Sequence, residues 1–168
     1  DLAQMAFTQA IDMNQRYAAL WVEARAYTEA IDYTSDSKKE LLKNLRKAQE
    51  LTKKAMELYP EQVEGHYWYA IALGREAELK GIMKSLRSVK PIKSSMETIL
   101  DIDPTFHRAY FVLSRLYRKA PKYISIGNPE TALKYINEAL KLDPIESRYL
   151  LEKAEVLIKL NKNKEAKK

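Results

Sequence analysis

The sequence predicts an all-α chain of repeated, antiparallel helix pairs. Three observations predict it. Glycine and proline are scarce, 4 and 6 of 168 residues, which disfavours an all-β chain with its many tight turns. Apolar residues recur at helical spacing. One helix stop recurs as Glu57-Leu58-Tyr59-Pro60, Asp101-Ile102-Asp103-Pro104 and Lys141-Leu142-Asp143-Pro144, spaced 44 and 40 residues apart.

The offsets around these prolines repeat. Counting back 12, 8 and 5 gives Ala48/Thr52/Ala55, Ile92/Met96/Ile99 and Ala132/Ile136/Ala139. Counting forward 6, 9, 10 and 13 gives His66/Tyr69/Ala70/Leu73, Tyr110/Leu113/Ser114/Tyr117 and Leu150/Lys153/Ala154/Leu157. Each forward set places large and small residues on one helical face, and Ala70, Ser114 and Ala154 let paired helices approach. The same offsets working three times is internal repetition.

From the N-terminus, Ala3, Phe7 and Ala10 read as the back half of a unit, with Gln15 where a proline is expected. Tyr17–Ile31 is helical, with Leu20, Trp21, Ala24 and Tyr27 apolar. Asp32 to Ser37 is a loop, and a helix follows from about Lys38 to Leu58. Asn128 caps and Pro129 opens the helix that ends at Pro144. Lys80–Pro91 and Pro121–Gly127 are extra length between the two helices of their units. Asn163–Lys168 begins a helix that is not completed. Lys153 stands where other units are apolar, as expected of a face with no later helix over it. The expectation is eight helices plus fragments, in one domain, 1–168, with units near 16–60, 61–104, 105–144 and an incomplete 145–168.

Composition narrows function. Hydrophobic residues make up 46% and charged residues 31%, a globular balance. Cysteine is absent, so disulfides and thiolate metal sites are excluded. No apolar run reaches the ~18 residues of a membrane span. The chain opens on Asp1 and not on Met, which fits processing or trimming alike. The net charge of +6 concentrates in Lys80–Lys93, which holds no acid, and in Asn161–Lys168. Two patches do not make the continuous basic stripe that nucleic acid needs, so no nucleic-acid partner is expected. The Lys80–Lys93 patch reads as a solvated helical extension, with an acidic partner or an anionic membrane surface as its functional alternative.

Chemistry is missing. His66 falls at a core-facing offset and His107 follows a helix start, so His66 is expected buried and His107 exposed. No histidine pair has metal-ligand spacing. The glycines, Gly65, Gly74, Gly81 and Gly127, form no phosphate loop. Asp101 and Asp103 belong to the recurring helix end. No nucleophile, base and orienter can be assembled, so the chain is not read as an enzyme, and no metal or cofactor is expected.

Tyr110, Leu113, Ser114, Tyr117, Ala132, Ile136, Ala139 and Pro144 resemble the tetratricopeptide repeat, a helix–turn–helix unit of about 34 residues. The resemblance implies a right-handed α-α superhelix, a solenoid whose first helices line a concave face where partners dock. Within it, Gly65 to Arg75, Lys80-Gly81-Ile82, Lys90 to Lys93 and Leu100 to Pro104 are similar to two groups. These are the regulator-of-microtubule-dynamics family of stretched repeats and the bacterial repeat protein associated with TRAP solute transporters. The second resemblance implies an extracytoplasmic, periplasmic accessory to solute capture.

Offsets of 4, 7, 11, 14 and 15 past each proline place the concave face. They give Glu64/Tyr67/Ile71/Gly74/Arg75, Arg108/Phe111/Arg115/Arg118/Lys119 and Arg148/Leu151/Glu155/Ile158/Lys159. Tyr67, Phe111 and Leu151 form an apolar row beside the basic row of Arg75, Lys119 and Lys159. Arg108, Arg115 and Arg118 add charge. Such a face suits a peptide or small ligand with an apolar body and a carboxylate, which arginine holds through two parallel hydrogen bonds. Cations near helix C-termini also oppose the helix dipole, a structural account of the same row. Tyr123, Ile124 and Ile126 place apolar side chains in a loop, either packed back on the array or as a lip over the groove.

The reading is a scaffold that binds a protein partner or a small carboxylated ligand. The alternative is a cytoplasmic adaptor that docks an acidic protein or polymer through its basic patches. A homo-oligomer through the incomplete fourth unit is a third expectation.

Overall fold

A computed structural model describes residues 2–161. All the regular elements among them are helical. They are α1 (Leu2–Glu29), α2 (Lys38–Leu58), α3 (Val63–Lys80), α4 (Leu86–Ile102), α5 (His107–Lys119), α6 (Pro129–Leu142) and α7 (Ser147–Lys159). Short 3-10 turns at Ala30–Asp32 and Ile82–Ser85 follow α1 and precede α4. The chain divides into two compact units, Asp1–Gly81 and Ile82–Lys168.

The recurring stop is a recurring cap. The backbone N–H groups of Tyr59, Asp103 and Asp143 donate to the carbonyls of Ala55, Ile99 and Ala139, at 3.0, 2.7 and 2.9 Å. The proline that follows each cannot extend a helix. All nine residues of the back-counted sets are buried, at 5% exposure or less. Their shared spacing of four and then three residues puts each on the inner side of α2, α4 or α6.

In the N-terminal unit, α1 runs unbroken through Gln15, where the repeat register expects a stop. Glutamine keeps its N–H and is a good helix former, so nothing ends the helix there. The side chains of Ala3, Phe7 and Ala10 lie outside the described residues. Ser37 caps α2 by accepting from Glu40 N at 3.3 Å. Ala24, Leu45, Ala48, Leu51 and Ala72 form the core, with Leu20, Tyr27, Ile31 and Leu79 against it. Tyr17 ties α1 to α3. Its hydroxyl donates to Glu64 Oε2 at 3.0 Å and accepts from Gly65 N at 3.2 Å, and its ring meets Tyr59 edge-on at 5.4 Å. Burial pushes the Tyr17 phenol upward.

In the C-terminal unit, α4 starts at Leu86, five residues before Pro91. Much of the stretch expected between helices is therefore helix. The first four N–H groups of a helix have no intrahelical partner, so a proline at the sixth residue removes only one bond. Asn128 accepts from Thr131 N at 2.9 Å, and Pro129 is the first residue of α6. Ile136, Ala139 and Tyr149 form a core cluster, with Tyr110, Phe111, Leu133 and Leu140 packed on it. Between α5 and α6 the loop closes on itself, with Asn128 N donating to Tyr117 O at 2.9 Å. A Cβ on Gly127 would stand 2.0 Å from the Ala120 carbonyl oxygen, so only glycine permits that approach.

Candidate functional site

The first-helix face is described within each unit. In the N-terminal unit, Tyr67, Ile71 and Arg75 lie along α3, all half-buried. Tyr67 meets Trp68 edge-on at 5.3 Å. Arg75 reaches Asp32 at 2.6 Å, so the loop after α1 already supplies its carboxylate.

The C-terminal unit carries the richer face, on α5 and α7. Arg108, Phe111, Arg115, Arg118 and Lys119 fall on one side of α5. Arg148, Leu151, Glu155, Ile158 and Lys159 fall on one side of α7. The two helices are braced together from the inner edge of this face. Glu152, 2% exposed, accepts from Arg118 Nε and Nη2 through separate oxygens, both at 2.8 Å. Ser114 Oγ adds a third bond at 3.3 Å, and Arg118 also reaches Glu155 at 2.6 Å. Burial alone would lower the Arg118 pKa. The hydrogen bond and charge of Glu152, with the charge of Glu155, outweigh that and raise it. Lys159 Nζ donates to the Arg118 carbonyl oxygen.

Aromatic contacts make a second brace. His107 Nδ1 lies 2.8 Å from Tyr149 Oη and 4.0 Å from Asp143. His107 is thus half-buried at a three-helix junction and not exposed as expected. The Phe111 ring lies 5.0 Å from that of Tyr149, with the Arg115 guanidinium 5.7 Å over Phe111. Phe111 therefore supports the packing as well as facing outward. His66 is half-buried, with Nε2 2.8 Å from the Pro60 carbonyl oxygen, so it closes its own turn and does not enter the core.

Beyond the braces the face is accessible. Leu151 and Ile158 are 64% and 57% exposed, and Arg108, Lys119, Arg148 and Lys159 are exposed. Arg148 pairs with Glu146 at 2.9 Å. The hydrogen bonds from the Arg148 side chain and backbone hold the Glu146 carboxyl at about 2. In the α5–α6 loop, Tyr123 and Ile124 are exposed at 94% and 58%, while Ile126 is half-buried. Of the Lys80–Lys93 patch, Lys80 pairs with Glu76 and Lys93 with Glu97, and Lys84, Arg87 and Lys90 are exposed. The uncompleted helix expected at 163–168 lies outside the described residues.

Sequence reasoning missed the carboxylate partners. Glu152 sits at a core position of α7, and its only signal is a charged residue between Tyr149 and Val156 on the buried stripe. Among the described residues, no three His, Asp or Glu gather as metal ligands, and no helix is long and apolar enough to cross a membrane.

Paired helices with a shared cap and second helices buried at the same three offsets define a tetratricopeptide-like protein. Solved structures share the fold. The tetratricopeptide protein TTC0263 of Thermus thermophilus superposes with a TM-score of 0.59 at 22% identity, covering 74% of this chain and 62% of that one. MamA from Desulfovibrio magneticus RS-1 gives 0.57 at 16%, covering 86% and 89%. The chain belongs to the family described as Regulator of microtubule dynamics protein 1-3, which matches residues 3–168. It is 29% identical over 115 residues to Regulator of microtubule dynamics protein 3 of Rattus norvegicus, covering 67% of this chain and 24% of the relative. The chain spans about a quarter of the length of the curated relatives it matches.

Proposed function

We propose that the chain is a non-enzymatic scaffold, a single repeat domain over 1–168, that holds a protein partner on its first-helix face. The observation that carries this reading is the α5/α7 face. Arg118 and Glu152 lock the two helices from within, and Leu151 and Ile158 stay exposed among Arg108, Lys119 and Arg148. Exposed apolar side chains on a face that carries more cations than acids, with Glu155 the acid between Leu151 and Ile158, suit a partner with an apolar body and carboxylates. Tyr67, Ile71 and Arg75 on α3 are read in the same way within their own unit, and Tyr123 and Ile124 extend the α5/α7 reading to the loop.

Family membership turns this toward an acidic polymer. The relatives are named for regulating microtubule dynamics, so microtubules are the partner to test. A small carboxylated ligand is the narrower reading, supported by the Arg108 and Arg115 guanidinium groups alone. A transport accessory role rests on the sequence resemblance.

Copelleting with microtubules assembled from purified tubulin tests the proposal. Saturable binding that weakens with added salt is expected, because exposed charge pairs are screened beyond about 10 Å at 0.1 M ionic strength. Absence of copelleting at low salt overturns microtubules as the partner.

A further inference from the structure

A second charged surface stands in the other unit, on the solvent side of α2. Leu45, Ala48, Leu51, Thr52 and Ala55 face the core. On the opposite side run Lys39, Lys43, Arg46, Lys47, Lys53 and Lys54, with Glu40, Glu50 and Glu57 among or beside them. From Lys39 to Lys54 the strip is about 22 Å long at 1.5 Å per residue.

This charge works against the helix. Lys38 and Lys39 occupy the first turn, where the dipole disfavours cations, and no basic residue occupies the last turn. Lys39/Lys43 and Lys43/Lys47 are like-charged neighbours at i,i+4, which destabilise a helix. Compensation is partial. Lys43 lies 3.7 Å from Glu40, and Arg46 lies 3.7 Å from Glu76, itself held by Lys80 and Gln49. Lys53 sits 5.7 Å over the Tyr69 ring. Lys39, Lys47 and Lys54 are exposed and make no ion pair among the described contacts. A helix that needed only solubility would carry its charges the other way round.

We propose that this strip docks an extended, glutamate-rich polypeptide. Lys39, Lys43 and Lys47 repeat every four residues, or about 6 Å. Side chains on one side of an extended peptide repeat at about 6.7 Å, so alternate glutamates meet successive lysines. Nucleic acid is disfavoured. Unit Asp1–Gly81 carries 11 Lys and Arg against 13 Asp and Glu, an acidic surround for a phosphate polymer. The inference takes the acidic-partner reading to named residues in a different unit, and its failure leaves the α5/α7 reading standing.

The test is fluorescence anisotropy with a labelled 15-residue peptide of alternating glutamate and glycine, at 0.05 M salt. The triple variant Lys39→Glu/Lys47→Glu/Lys54→Glu is expected to bind at least tenfold more weakly than the native chain. Lys122→Glu/Lys134→Glu/Lys141→Glu, with the same charge change in the other unit, is expected to bind within twofold of native. Circular dichroism should show the same helicity in all three. Equal loss in both variants reduces the effect to net charge and overturns the proposal. So does absence of native binding, or tighter α2-dependent binding of an oligothymidylate of equal charge.

Discussion

Replacing Arg118 with alanine asks whether the α5/α7 brace is structural. The substitution strands Glu152, a carboxylate 2% exposed, with Ser114 Oγ at 3.3 Å as its remaining side-chain partner. Breaking a buried pair on one side costs roughly 3–5 kcal/mol. Arg118 is itself 15% exposed, and water can follow the departing side chain, so the lower end applies, about 3 kcal/mol. For a chain of this length that lowers the melting temperature by about 6–12 °C. Replacing both partners, as Arg118→Met/Glu152→Leu, should restore most of the loss, because matched apolar pairs are often neutral in such sites. A double-mutant cycle by urea unfolding measures the coupling, expected above about 1 kcal/mol for residues in direct contact. A single-variant loss below about 0.5 kcal/mol with no coupling would refute the reasoning. Arg118 would then be a solvated cation available to a ligand, as its offset in the repeat suggests.

Other positions test the same framework. Gly127→Ala should destabilise by about 2 kcal/mol or more in urea unfolding, because its Cβ meets the Ala120 carbonyl. Gly74→Ala should instead stabilise by about 0.5–1 kcal/mol, since it lies within α3 with open space around its Cβ. Tyr17→Phe removes two hydrogen bonds that join α1 to α3 and should cost about 1–2 kcal/mol by thermal unfolding. Carbon-13 NMR of the Glu146 carboxyl should titrate near 2. Its folded value lies below the unfolded value of about 4.3, so its stabilising share is full above that pH and is lost as pH falls toward 2. Arg148→Ala should move the titration back up.

The periodic part of the fold was legible. The cap, the proline and the repeated offsets are local, and all nine second-helix positions lie buried where the offsets put them. Boundaries were less legible where one residue decides. Gln15 permits a helix that a proline would end, and Pro91 sits early enough in α4 for the helix to form around it. The face on α5 and α7 was legible as a direction, and its chemistry was not. Arg118 shares the face offset with Arg75, but Glu152 is 34 residues away in sequence and becomes its partner only when α7 packs beside α5. Phe111 and His107 differ from expectation for the same reason, because Tyr149 comes from a helix 38 to 42 residues on. The α2 strip was not legible as a patch, since its lysines are interleaved in sequence with the apolar residues of the opposite face.

The most direct test of the scaffold reading is microtubule copelleting of Arg108→Glu/Leu151→Ser/Ile158→Ser beside the native chain. These side chains are exposed on the α5/α7 face and lie outside the brace, so the melting curve should stay within a few degrees of native, as surface changes cost about 0.5 kcal/mol or less. The account predicts saturable pelleting of the native chain and at least tenfold weaker pelleting of the variant at unchanged helicity. Equal pelleting of the two, or none by the native chain, would contradict it.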